Sequence, residues 1–369
     1  MNKILFKLHS WLALFAFVPL LVISVTGSIL VFKHEIDSLL MPDKVRVAEI
    51  KQERQSLDSM LASINALYPG YQPSGWAIFA DRGRADLVYV IARGTSNWSY
   101  LLIDQYSGNI LAEPQGTTHY LTDWLLDLHY AFLLDDVGLL ITSIYSVVLF
   151  VLAITGFWLY RKFWKAFFTL RWNSRLVVYF SDLHKMVGIP ASPIFLILAF
   201  TGAFWNITHL LHEWQEHAEE EEHYIVQQPL YNIELSLQEM HDATVQHIRD
   251  FKPRYLSMPF EPGRNFTFYG DVATNNILLS QYASTVAFDI QTGEFLQKAD
   301  IRDASVGMQT YDSFRRLHFG DFAGILSRVI WCIAGLTPVL LSITGVTIWY
   351  LRREKRQAKK ARLRSRVQN

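Results

Sequence analysis

Four stretches of this chain run for more than 20 positions without a charged residue: 11–32, 137–160, 186–211 and 329–351. About 20 apolar residues suffice to cross a bilayer as a helix. Lipid offers no partner to backbone polar groups, so such runs must satisfy them internally, as helices do. The runs predict four transmembrane helices. The first is too long in its apolar part for a cleaved signal peptide, and no small-x-small cleavage site follows it.

Acidic and basic residues balance at 34 each, but their placement is uneven. Lys3 and Lys7 precede the first run. Arg161, Lys162, Lys165, Arg171, Arg175 and Lys185 lie between the second and third, and nine basic residues lie between Arg352 and Arg366. The positive-inside rule puts all three clusters in the cytoplasm. Both termini are then inside, and two long segments face the periplasm of a bacterial inner membrane. Beside a span, the basic tail reads as a topology signal, so no nucleic-acid partner is expected. Cys332 is the only cysteine. It lies within the fourth run, so no disulfide, thiolate cluster or covalently attached c-type haem is available. No glycine-rich dinucleotide loop, Walker loop, serine elbow or His-Glu-x-x-His occurs.

The chain repeats itself. A Leu-His pair stands at the mouth of each run, with histidines His9, His129, His184 and His318, and each run holds a Thr-Gly pair ending at Gly27, Gly156, Gly202 or Gly345. His9 to Gly27 and His184 to Gly202 are both 18 residues, and His129 to Gly156 and His318 to Gly345 are both 27. His34 follows His9 by 25 residues, as His209 follows His184. The segments between the runs also match, with Asp104 and Gly108 in one and Asp289 and Gly293 in the other. An Asp-initiated turn with Gly at positive φ predicts a hairpin. Upstream of each, 56–67 and 235–251 have helical spacing. The expected architecture is a membrane protein, mainly α with α+β loops, in two parallel repeats about an axis along the membrane normal. Its spans cover 9–34, 129–161, 184–211 and 318–352. Outer modules cover 35–128 and 212–317, and basic inner segments cover 162–183 and 353–369.

On a straight helix 18 residues make five turns and 25 make about seven, so His9, Gly27 and His34 would share a face, as would His184, Gly202 and His209. Gly27 and Gly202 would then let a flat group approach, whereas Gly156 and Gly345 would serve helix packing. Depth sorts the imidazoles into an inner layer, His9 and His184, and an outer one, His34, His129, His209 and His318, about 37 Å apart unless Pro19 and Pro193 bend the helices. Two imidazoles on facing helices can hold a b-type haem axially. The bland alternative is that they are interfacial anchors. Zinc would want a tight tetrahedral set that the boundaries lack. A further cluster, His212, His217 and His223 among glutamates, reads either as a metal-attracting lip or as a solvated acidic helix extension.

The Leu-His and Thr-Gly pattern, with the two Asp…Gly hairpins, resembles the PepSY-associated transmembrane family over about residues 5–355, in particular its iron-regulated inner-membrane proteins and ferric-siderophore reductases. The resemblance implies PepSY-like outer modules and one or more b-type haems on the span-boundary histidines. It implies a reductase that takes electrons from a membrane or cytoplasmic donor and passes them to ferric iron in a periplasmic siderophore or similar chelate. The two-fold reading pairs His9 with His184. For the outer layer, His34 with His209, His129 with His318, or His34 with His129 and His209 with His318 all stand. Trp76, Trp98, Tyr100 and Tyr106 are candidates either to touch the chelate or to pack on the small sheet. A non-redox, membrane-anchored PepSY binding protein is the rival reading. A transporter is disfavoured, because the runs lack the Asp, Glu, Lys or Arg of a coupling site.

Overall fold

The computed structural model describes residues 3–161, 169–218 and 224–368. In chain order the elements are α1 (Lys3–Phe15), α2 (Phe17–Leu30), α3 (Lys33–Leu40), α4 (Pro42–Val45), α5 (Leu57–Leu67), β1 (Tyr71–Ala77), β2 (Asp86–Ala92), β3 (Trp98–Ile103) and β4 (Ile110–Gly116). They continue with α6 (Leu121–Ala131), α7 (Asp135–Leu159), α8 (Leu176–Ala218), α9 (Leu237–His247), β5 (Lys252–Ser257), β6 (Phe266–Asp271), β7 (Ser284–Phe288), β8 (Phe295–Ala299), α10 (Val306–Phe319) and α11 (Gly324–Gln368). Two compact units result. One comprises residues 1–32, 125–216 and 317–369, the other 33–124 and 217–316.

The first unit is helical. Among the described residues α7, α8 and α11 are each long and apolar enough to cross a membrane, and α1 with α2, bent by 66° at their junction, makes a fourth when the pair is counted as one span. The bend has a local cause. Pro19 has no N–H, so the Phe15 carbonyl loses its i+4 donor, and Ala16 leaves helical geometry at φ −90°, ψ 3°. Large apolar side chains such as Val137, Ile144, Phe157, Ile333 and Ile343 are exposed, as expected of helices whose solvent is lipid rather than water. The helix that carries His129 is not the span itself. α6 stops at Ala131, and Phe132, Leu133 and Asp135 turn the chain at φ 49°, 60° and 46° before α7 runs on. Likewise His318 sits on α10, and Gly320 and Gly324, at φ 71° and 63°, make the corner into α11. A charge-free run shows where lipid begins but not a corner just ahead of it, so the expected helices over 129–161 and 318–352 are each divided.

The second unit is built on one antiparallel sheet of eight strands in the order β4-β3-β2-β1-β5-β6-β7-β8. The expectation of a separate small sheet in each outer segment is corrected here. β1 pairs with β5 through Gly75–Ser257, Trp76–Leu256 and Ala77–Tyr255, and one core unites both halves, from Met60, Trp76 and Leu101 to Leu256, Phe268 and Phe288. The helices α5 and α9 exchange caps. Ser56 Oγ and Ser236 Oγ each accept from the third residue on, at 3.1 Å. Asp58 Oδ1 accepts from Leu237 N at 2.6 Å, and Gln238 Oε1 from Leu57 N at 3.0 Å. Each such cap is worth about 1 kcal/mol. Both anticipated hairpins form, with Gly108 at φ 74° and Gly293 at φ 72°. Asp104 Oδ1 accepts from Tyr106 N, and Asp289 Oδ1 from Gln291 N, both at 2.8 Å. Lys33 ties α3 to the start of α6, with Nζ 2.7 Å from Asp37 and 2.8 Å from Asp123.

Candidate functional site

Each Leu-His histidine meets the Thr-Gly pair of a different helix. Nδ1 of His9 lies 2.8 Å from Thr155 Oγ1, and Nδ1 of His129 lies 3.1 Å from Thr26 Oγ1. The other half of the helical unit repeats this exchange, with His184 Nδ1 2.8 Å from Thr344 Oγ1 and His318 Nδ1 2.8 Å from Thr201 Oγ1. The glycine after each threonine lies against the same ring. A Cβ on Gly27 would come within 2.6 Å of His129 Cε1, on Gly202 within 3.3 Å of His318, on Gly156 within 3.4 Å of His9 and on Gly345 within 3.7 Å of His184.

These contacts gather four rings into two facing pairs. The centroids of His9 and His184 are 6.5 Å apart with planes at 85°. Those of His129 and His318 are 6.4 Å apart at 60°. Each pair borders an apolar cleft. The first, about 700 Å³ of empty space counted to its mouth, is lined by Gly156, Tyr160, Lys185 and Leu341 besides its histidines. The second, about 1220 Å³, is lined by Gly27, Gly202, Trp205 and Asn206 besides its own. Leu149, Phe195 and Pro338 border both. All four rings engage threonine through Nδ1, which leaves Nε2 as the nitrogen outside those bonds.

The backbone beside the second pair is fastened by side chains. Asn206 Nδ2 donates to the Tyr130 carbonyl at 3.1 Å and to Thr142 Oγ1 at 2.7 Å. Trp331 Nε1 donates to the Leu317 carbonyl at 2.7 Å. Sequence reasoning singled out neither of these, and it noted the threonines only as repeat markers. Their recurrence once per run was the available signal.

The remaining candidates lie elsewhere. His34 is on α3 in the sheet unit, with Nε2 3.4 Å from Asp81 Oδ2. His209 is exposed on α8. Neither lines either cleft. The single face expected for His9, Gly27 and His34 is undone by the bend at Ala16. Gly27 faces His129 instead, and Gly156 and Gly345, expected to pack helices, face His9 and His184. Of the suggested lip, His212 is exposed, while the side chains of His217 and His223 lie outside the described residues. Among those residues no group of three or more His, Cys, Asp or Glu could hold a metal ion. Of the four aromatic candidates in the first outer segment, Trp76, Tyr100 and Tyr106 are buried, and only Trp98 is exposed, at 38%.

Apolar helices long enough to span a bilayer, joined to an antiparallel sheet, define a membrane protein of mixed α and β structure. Over residues 6–352 the sequence matches the family described as PepSY-associated TM region, and the chain belongs to that family. No curated protein matches it.

Proposed function

We propose that this protein is an oxidoreductase of the bacterial inner membrane that holds two b-type haems. It moves electrons outward, from a membrane or cytoplasmic donor to ferric iron in a periplasmic chelate, siderophores being the class the resemblance implies. The observation that carries the reading is the ring separation. Two collinear metal–imidazole bonds of about 2.0–2.1 Å, plus about 1.2 Å from each nitrogen to its ring centre, give about 6.4–6.6 Å between centroids, against 6.5 and 6.4 Å here. Edge-to-face contact alone would tolerate anything from about 4.5 to 7 Å. Both separations leave room for one metal atom between the rings, and Nε2 of all four rings lies outside the threonine bonds.

The residues fit the group in other respects. At Gly27 a side chain would push the ring of His129 aside, and the cleft walls are mostly aliphatic or aromatic. His9 and His184 would hold the inner haem, and His129 and His318 the outer one. Bound there, haem iron would carry one electron at a time between its ferric and ferrous states. The protein's own part is to hold the imidazoles, exclude water and bring the two clefts against Leu149, Phe195 and Pro338. The basic clusters at 161–185 and 352–366 support cytoplasmic termini and periplasmic outer segments. The matched spacings and the exchange of His and Thr-Gly within each helix pair support two copies of one membrane unit.

An absorption spectrum of the purified protein, oxidised and then reduced with dithionite, tests this. Two low-spin haems per chain are expected, and His184→Ala or His318→Ala should each leave one. A colourless preparation from haem-replete cells would sink the reading and favour the non-redox binding protein.

A further inference from the structure

Each threonine hydroxyl has one proton, and the geometry says where it goes. Thr26, Thr155 and Thr201 each place Oγ1 2.7 Å from the carbonyl four residues back, and Thr344 does so at 2.9 Å. A carbonyl only accepts, so the hydroxyl donates to it and turns a lone pair to the imidazole. Nδ1 must then be the donor. His129 shows this directly, because its Nδ1 also lies 3.0 Å from the Ile23 carbonyl, another group that cannot donate.

We propose that Thr26, Thr155, Thr201 and Thr344 are positioning residues that fix each imidazole as its Nδ1–H tautomer and so present the Nε2 lone pair for ligation. The outer partner of a ligating imidazole sets its orientation and raises its basicity. A carboxylate commonly fills that place, but within a membrane it would carry an expensive charge. A threonine satisfied by its own helix supplies a neutral acceptor without that cost. At Gly27 the adjoining glycine also provides the room, so Thr26 and Gly27 act as one two-residue cradle for the ring of His129.

The electrochemical half of this inference rests on the haem reading, and the tautomer half does not. In haem-loaded protein, Thr344→Val removes the acceptor with little change of shape. The ligand becomes less basic, ferric iron is held less well, and the midpoint potential of one centre rises while haem content is unchanged. Thr344→Ser brings the potential back. Thr155→Val repeats the test on the other ligand of the same centre, should the first variant not fold. An unmoved potential in a folded valine variant overturns the proposal. If the preparation is colourless, the haem reading has failed and 15N spectra of the histidine-labelled full chain decide alone. Four Nδ1–H rings in the wild type, with one becoming a tautomer mixture in Thr344→Val, support the assignment. Mixed tautomers in the wild type, or no change in the variant, overturn it.

Discussion

The side chain that Gly27 lacks is replaced in space by the imidazole of His129, whose Cε1 lies 2.6 Å from where a Cβ would stand. At that distance one of the two must move. Gly27→Ala is expected to displace the ring and remove the haem signal of the second pair, leaving the first intact. Gly345→Ala is the control, because its Cβ would meet His184 at 3.7 Å, an ordinary contact. Haem-to-protein ratios of the two variants check this. Equal ratios in both would contradict it.

A second glycine sets the corner between α6 and α7. A Cβ on Gly138 would lie 1.5 Å from the Ala131 carbonyl oxygen, and backbone cannot swing away as a side chain can. The corner already holds three non-glycine residues at positive φ, an uncommon and strained conformation. Gly138→Ala is expected to destabilise the helical unit by about 3 kcal/mol, at the upper end for overpacking. Thermal unfolding in detergent measures it. A melting temperature within a degree of wild type would show that the corner does not need a bare backbone.

Acid should weaken the sheet unit through Asp300. Its hydrogen bond from the Arg302 guanidinium, 2.6 Å at the closest, holds the carboxyl below its ordinary value. A carboxyl whose folded value is depressed contributes stability that is complete above the unfolded value of about 3.9 and is lost as pH falls through the folded one. Unfolding followed from pH 5 to pH 2 should therefore show a decline that Asp300→Asn flattens. Parallel curves for wild type and variant would remove Asp300 from the account.

Much of this could be seen in the residues before any coordinates. The charge-free runs coincide with the three long apolar helices and with the bent pair α1 and α2. Asp104 with Gly108 and Asp289 with Gly293 announced their hairpins, because such turns are decided within five residues. The pairing of His9 with His184 followed from the repeat. The pairing of Thr155 with His9 did not, because regular periodicity connects positions along one helix and says nothing of which helix lies next to it. Pro19 hinted at the bend, but only the broken hydrogen bond at Phe15 moves Gly27 to another histidine. Nor could spacing foresee β1 beside β5, whose partners Trp76 and Leu256 are distant in the chain.

That junction of β1 with β5 makes the two outer segments mutually dependent. Either one expressed alone would present a bare strand edge and half of a hydrophobic interior, which is a template for self-association. Gene fragments split between α7 and α8 should therefore build the intact eight-stranded sheet in the membrane fraction only when both pieces are made together in one cell.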